Sequence, residues 1–249
     1  MRLTGSITAL ATPFTADGEL DLDAWHRLVA GQLDAGTQAL VVAGSTGEAA
    51  ALFDAEFDTL LRTAVQQVAG RVPVLAGTGM SNTVKTMEQT RRAAVLGADA
   101  ALAGHPRIIG VKEARNDPER MDALLPLAGD GFSVLSGDDP TACRALLAGA
   151  DGVVSVASNI VPAAFRRLCD LGRAGDADAA RALDARLQPV FEFLGVESNP
   201  IPVKAILAGQ GIGAGLRLPL LPLSVQHREA AARMATAVSA LEQDCRAAA

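Results

Sequence analysis

Through the first two thirds of the chain, short and nearly unbroken runs of Val, Ile, Leu and Ala recur at Ser6–Thr12, Ala39–Ala43, Val72–Ala76, Ala98–Ala103, Ile108–Lys112, Phe132–Ser136 and Gly152–Ala157. A strand with one wet face alternates apolar and polar residues, whereas these runs are apolar throughout, as in strands buried on both faces. Segments of helical character separate them, which predicts a parallel sheet with crossover helices. The helix boundaries carry physical signals. Asp117-Pro118 and Asp139-Pro140 each set a capping acceptor before a proline whose missing N–H costs nothing in a first turn, and Ser81 is placed to cap the helix carrying Met87 to Leu96. Gly36, Gly70 and Gly97 fall where a helix end wants a left-handed residue. From about Pro162 the pattern is helical without intervening strands, at Ala163–Leu171, Asp176–Phe193, Pro202–Leu207 and Val225–Cys245, with prolines 200, 202, 219 and 222 marking the turns.

These elements predict an α/β fold of the TIM-barrel (β/α)8 type over residues 1–175, followed by a C-terminal helical region over 176–249. The barrel part is short, since complete barrels seldom occupy fewer than about 200 residues. The shortfall localises to 98–109, where only Gly104-His105-Pro106-Arg107 separates two candidate strands. A parallel crossover takes a dozen or more residues, so either Ala98–Ala103 is not a strand or one to two βα units are absent.

Composition narrows the function classes. The 249 residues carry a formal charge of −6, and no basic run is present, which argues against a nucleic-acid partner. No secretory signal and no apolar window of membrane-spanning length is present, so a cytoplasmic location without membrane association is expected. Cys143, Cys169 and Cys245 are scattered, as are His26, His105 and His227, so neither a disulfide framework nor a metal site is expected.

Lysine is scarce, with Lys85, Lys112 and Lys204 the whole complement. Lys112 ends the apolar run Ile108-Ile109-Gly110-Val111, at the strand end where barrels assemble their sites. Desolvation there would lower its pKa and supply the neutral amine that attacks a ketone. The plainer alternative is a lysine that reaches out to solvent or pairs with Glu113, although strand alternation sends Glu113 to the other face. Gly44-Ser45-Thr46-Gly47-Glu48 follows the Ala39–Ala43 run. Its glycines and hydroxyls suit a carboxylate-binding nest, and equally suit an ordinary βα turn with a capping serine. Leu135-Ser136-Gly137-Asp138-Asp139 and Gly152-Val153-Val154-Ser155-Val156 close strands with small residues on the same barrel face, through close approach to a ligand or through turn chemistry. Lys204 opens a helix among prolines and reads as structural.

Together with Ala9-Leu10-Ala11-Thr12-Pro13-Phe14, Ala76-Gly77-Thr78-Gly79, Gly110-Val111-Lys112-Glu113-Ala114 and Asn199-Pro200-Ile201-Pro202-Val203-Lys204, these segments resemble the dihydrodipicolinate synthase family in order and spacing along nearly the whole chain. Sialic acid (N-acetylneuraminate) lyase and related aldolases share the Gly-Ser-Thr-Gly-Glu turn and the strand lysine; the Ser-Gly-Asp-Asp and Asn-Pro-Ile-Pro-Val-Lys segments are more similar to the synthase. The resemblance implies a pyruvate-dependent class I aldolase with no cofactor beyond a covalent imine of pyruvate on Lys112. The derived enamine attacks aspartate semialdehyde on the diaminopimelate and lysine route. By the same resemblance Ser45 and Thr46 hold the pyruvate carboxylate, Thr46 also relays a proton, Val154 lines the pyruvate pocket, and the assembly is a homo-oligomer, a tetramer or dimer; Gly137, at the same barrel face, is expected to contact the substrate.

The departure from the family is large. Its members continue after the fourth strand with a tyrosine-bearing loop, a helix, a fifth strand ending in Tyr-Asn-Val-Pro and an arginine for the second substrate's carboxylate. Here Leu102-Ala103-Gly104-His105-Pro106 leads straight to the lysine strand, and the chain contains no tyrosine. Loss of such an acid/base shuttle typically costs about 10²–10⁴-fold in rate. The expectation is an imine formed poorly and a severely impaired synthase, or a non-catalytic barrel remnant that binds a keto acid, unless a partner supplies the missing unit. Near Ala49, Ala50, Asp54, Phe57 and Lys85, where the family's allosteric lysine would bind, polar ligands are mostly absent, so feedback by lysine is not expected.

Overall fold

In a computed structural model, residues 2–101 and 109–247 are described. Seven strands, β1 (Gly5–Ala9), β2 (Ala39–Val42), β3 (Val74–Ala76), β4 (Ala100–Ala101), β5 (Gly110–Glu113), β6 (Ser133–Ser136) and β7 (Gly152–Ser155), form one parallel sheet in the order β4-β3-β2-β1-β7-β6-β5. The helices between them are α1 (Leu22–Asp34), α2 (Asp54–Val68), α3 (Thr83–Val95), α4 (Pro118–Leu124) and α5 (Ala142–Leu147), followed by α6 (Pro162–Ala174), α7 (Ala177–Leu194), α8 (Ile201–Gly209) and α9 (Val225–Ala247). All seven apolar runs contain a strand. In the Ala98–Ala103 run, Ala100 and Ala101 pair with Leu75 and Ala76, and the end of the run, with the 104–107 connection, lies outside the described residues.

Among the described residues the sheet does not close: β4 pairs only with β3 and β5 only with β6, so these two strands form the edges of a curled, incomplete barrel. The absence of βα units predicted from chain length is therefore visible as an open side. Strand alternation still builds an inner layer. Ile7, Ala9, Ala39, Val41, Leu75, Leu135 and Val154 pack together with Leu3, touched by Ala100 and Ile109 from the two edges. The outward side chains, such as Leu40, Val42 and Val153, meet the helices in a larger core that runs on through α6, α7 and α9. Trp25 of α1 and Phe165 of α6 are fully buried in that core, with Phe165 edge-on to Phe191 of α7 at 6.3 Å between centroids.

The helix punctuation is mostly as read. Asp117 accepts from the Arg120 amide, and Gly36, Gly70 and Gly97 all have positive φ. Two caps differ. Asn82, not Ser81, caps α3, because its carboxamide oxygen accepts from the Lys85 amide at 3.1 Å. Thr141 precedes α5, and Asp139 spends its carboxylate on the far loop instead: its Oδ2 accepts from the Val156 and Ala157 amides at 3.1 and 2.8 Å.

One close approach fixes the end of β3 against β2. A Cβ on Gly77 would stand 2.1 Å from the Ala43 carbonyl oxygen, so only glycine lets the two strand ends meet. G77A is expected to cost about 1–3 kcal/mol, the usual range for forced overpacking, read as a lower thermal midpoint by circular dichroism.

Candidate active site

Because β5 and β6 pair in parallel with Lys112 opposite Leu135, Lys112 shares the inner face with Leu135 and Val154. Glu113 points to the other face, where it binds the Arg120 guanidinium and the Arg115 amide. Lys112 therefore does not pair with its neighbour. Its aliphatic chain lies across Gly137, where a Cβ would come within 2.2 Å of the lysine Cε. Gly137 thus lets the lysine chain lie against the loop, and a side chain there would push the flexible end of Lys112 aside. The side chain is exposed in the open sheet, unlike the dry amine expected from sequence. The cause is the missing wall beside β5, whose outer edge is bare among the described residues. Burial of the parts beneath still lowers its pKa, with Asp139 opposing that fall by its charge. Solvent contact limits how far the fall goes.

At the C-terminal end of β2, the 44–48 turn is bracketed by left-handed Ala43 and Glu48, at φ 54° and 53°. Thr46 is buried, and its Oγ1 accepts from the Asn199 side-chain amide at 3.0 Å. That leaves the hydroxyl proton of Thr46 free to donate. Ser45, next to it, is exposed. The turn is pinned from behind: Thr12 donates to the Gly47 carbonyl at 2.7 Å. Glu48 forms a buried ion pair with Lys204 and accepts from the Arg217 amide at 3.0 Å. Lys204 and Arg217 also lie 4.3 and 4.2 Å from the Phe14 ring centroid. Lys204 is structural, as read, although its reason is Glu48 rather than the helix start.

All strands being parallel, Lys112 and the Ser45-Thr46 turn face the same end of the sheet, with β1, β7 and β6 between their strands. Val154 forms the floor between them, 2% exposed. The structure thus gathers Lys112, Gly137 and Val154 on one side and holds Thr46 on the opposite wall. Asp139 and Asn199 were missed as site residues. Each has a local explanation in the sequence, as a cap or as part of a proline turn, and what gives them a place in the site is contact across more than a dozen residues. An apolar cleft of about 350 Å³ between α8 and α9 lies behind Lys204; its lining, including Ala205, Ala208, Ala231 and Ala235, offers little chemistry. Among the described residues no cluster of His, Cys, Asp and Glu could hold a metal, and no helix is long and apolar enough to cross a membrane.

Two outcomes test this electrostatic frame. Glu48 and Lys204 expose only 1% and 7% of their side chains, so K204M strands a buried carboxylate. It is expected to cost about 3–5 kcal/mol in chemical denaturation, with much of that loss regained in E48Q/K204M. Burial also pushes Asp139 up to about 6, against the pull of the Val156 and Ala157 amides. A carboxyl raised on folding binds its proton more tightly in the native state, so its contribution is largest at low pH and falls as pH rises from about 4 to about 6. The stability of D139N relative to the parent chain is therefore expected to increase between pH 4 and pH 7, by on the order of 3 kcal/mol at most.

Comparison with known proteins identifies the family of this fold. The profile of the dihydrodipicolinate synthetase family matches residues 2–106 and again 101–238. The two matches meet at the short connection before β5. The 4-hydroxy-tetrahydrodipicolinate synthase of Xanthomonas axonopodis pv. citri (strain 306) is 55% identical over 292 aligned positions, covering 97% of this chain and 97% of the relative. An alignment longer than the 249-residue chain means that a block of the relative has no counterpart here. A dihydrodipicolinate synthase from Acinetobacter baumannii, solved in complex with pyruvate, superposes with a TM-score of 0.90 at 32% identity, covering 95% of this chain and 99% of that one. A monomeric dihydrodipicolinate synthase variant superposes at 0.89 with 31% identity, covering 96% and 97%. The open sheet, its lysine strand and its Gly-Ser-Thr-Gly-Glu turn belong to a chain that is a member of the dihydrodipicolinate synthetase family.

Proposed function

We propose that this chain acts as a 4-hydroxy-tetrahydrodipicolinate synthase-type lyase, joining pyruvate, held as an imine on Lys112, to aspartate semialdehyde. The observation that carries the reading is the inward placement of Lys112 at the end of its strand, bedded on Gly137 with its pKa lowered, facing the same end of the sheet as the Thr46 turn. In this scheme the neutral amine adds to the keto carbon and water leaves. The resulting iminium withdraws electrons from the methyl group, which loses a proton to give the nucleophilic enamine. Thr46, with Ser45 beside it, receives the pyruvate carboxylate, and the Thr46 proton left unused by Asn199 is the one it offers. Gly137 and Val154 border the space around the imine. No cofactor other than this covalent adduct takes part, and the reaction takes place in the cytoplasm.

The open side sets the limits of this activity. No tyrosine is present to move protons, and solvent reaches the lysine. Turnover is expected about 10²–10⁴-fold below that of a tyrosine-bearing relative. The exposure of Lys112 specifically favours a second reading, a barrel remnant that holds a keto acid without reacting. A further copy of the chain covering the open edge would restore a drier site, and a homodimer or homotetramer is the assembly that fits this reading.

Treatment with pyruvate and borohydride, followed by peptide mass analysis, is expected to leave a reduced adduct on Lys112 and none in K112M. T46A should weaken capture at limiting pyruvate about tenfold, the worth of one good hydrogen bond to a charged group. Binding of pyruvate with no adduct at any pH would replace the lyase by the remnant.

A further inference from the structure

The loop after β6 holds a carboxylate that the scheme above does not use. Asp139 is 9% exposed. Its Oδ2 is committed to the Val156 and Ala157 amides, whereas its Oδ1 is buried without a hydrogen-bond partner. The Ser155 hydroxyl stands near enough to favour the charged form, short of a well-formed bond to Oδ1. A buried acceptor left unmatched costs about 1–3 kcal/mol, so its retention calls for a reason beyond the anchoring that Oδ2 already supplies.

We propose that Asp139 is the counter-ion of Lys112, a positioning residue that keeps the lysine chain over Gly137 whenever the amine, or the iminium made from it, is charged. The iminium half of this inference rests on the lyase reading; the pairing of the two side chains does not. Gly137 lies two residues before Asp139 and directly beneath the Lys112 chain, so the loop that beds the lysine also carries the acid. Among the described residues, the titratable groups coupled to Asp139 are Asp138 in the same loop, Cys169 of α6 and Lys112 of β5, and of these Lys112 is the cation. Burial pushes the Cys169 thiol far up, which keeps it neutral, and Asp138 repels.

Imine formation makes this pairing matter. A neutral amine, a ketone and one proton give an iminium and one water, so the site gains a fixed positive charge where there was none. Among the described residues β5 has a bare edge, and the anion coupled to that amine is a carboxylate with a free oxygen. A carboxylate that served only to hold Val156 and Ala157 would leave the titration of Lys112 unmoved.

Trace acetylation with acetic anhydride across pH, scored by peptide mass, reads each of the three lysines separately, with exposed Lys85 as the internal standard. In D139N the labelling of Lys112 relative to Lys85 is expected to rise about three- to tenfold on the rising limb, the effect of losing up to about one pKa unit of charge support. D138N, which leaves Asp139 in place, is expected to show no such rise. An unchanged ratio in a D139N that melts like the parent chain overturns the proposal. Should D139N fail to fold, the reciprocal measurement remains: carboxyl NMR of Asp139, whose midpoint near 6 is expected to move up in K112M and whose constancy would equally overturn the pairing. Neither arm involves pyruvate. A labelling shift without a borohydride adduct would sink the lyase reading and keep the pairing, and an adduct without a shift would do the reverse.

Discussion

The lysine strand is held from one side. Gly110 to Glu113 pair with Ser133 to Ser136, and among the described residues nothing pairs with the other edge. In a closed barrel each strand gains two ladders and its inward side chains are sealed by strands opposite. Here β5 has one ladder, and Lys112 meets solvent as a direct consequence. Everything chemically unusual about the chain follows from that missing ladder: the half-wet amine, the reliance on a single carboxylate for charge balance, and two strand edges able to recruit another chain.

The rest of the site does not depend on the missing wall. The 44–48 turn is fastened by groups far along the sequence, with Asn199 on Thr46, Lys204 and the Arg217 amide on Glu48, and Arg217 also bound to Glu56. These tethers come from α8 and from the connections on either side of it, and α8 packs in the same core as α6 and α7. A block can therefore be lost between β4 and β5 while the opposite wall keeps its shape. The buried Glu48–Lys204 pair is costly to desolvate, and it persists because both charges find further partners in the Arg217 amide and the Phe14 ring.

Several of these features could be read from the residues. Unbroken apolar runs such as Leu40–Val42 identified strands because burial on both faces leaves no polar alternation to misread. The glycine ends of α1, α2 and α3 followed from the sterics of positive φ. The inward direction of Lys112 and outward direction of Glu113 followed from a period of two. The absent unit was legible as a connection too short for a crossover. Hidden from sequence were the pairings over long separations. Asp139 before Pro140 looks like a cap, and nothing local shows that its carboxylate reaches Val156 and Ala157 instead. Ser81 and Asn82 are adjacent acceptors, and only the backbone path decides which one faces the Lys85 amide. The exposure of Lys112 was misjudged for the same reason, since dryness belongs to the wall opposite and not to the strand.

That distinction bears on how an aldolase of this kind loses or keeps its chemistry. Nucleophilicity of a lysine near neutrality can come from desolvation, which needs walls, while the stability of the iminium that follows can come from a fixed anion, which needs only a well-held loop. The two demands pull in opposite directions on the free amine, because a carboxylate that welcomes the iminium also welcomes the ammonium. In a sealed barrel desolvation can outweigh that penalty. With one wall open the balance tips toward the charged amine, so attack slows while the adduct, once formed, is still supported. The bed provided by Gly137 and the loop that ends in Asp139 remain intact on the β6 side of the opening. On this reading the open wall weakens the source of nucleophilicity, which the remaining burial of Lys112 still supplies in part, and leaves the source of charge stabilisation in place.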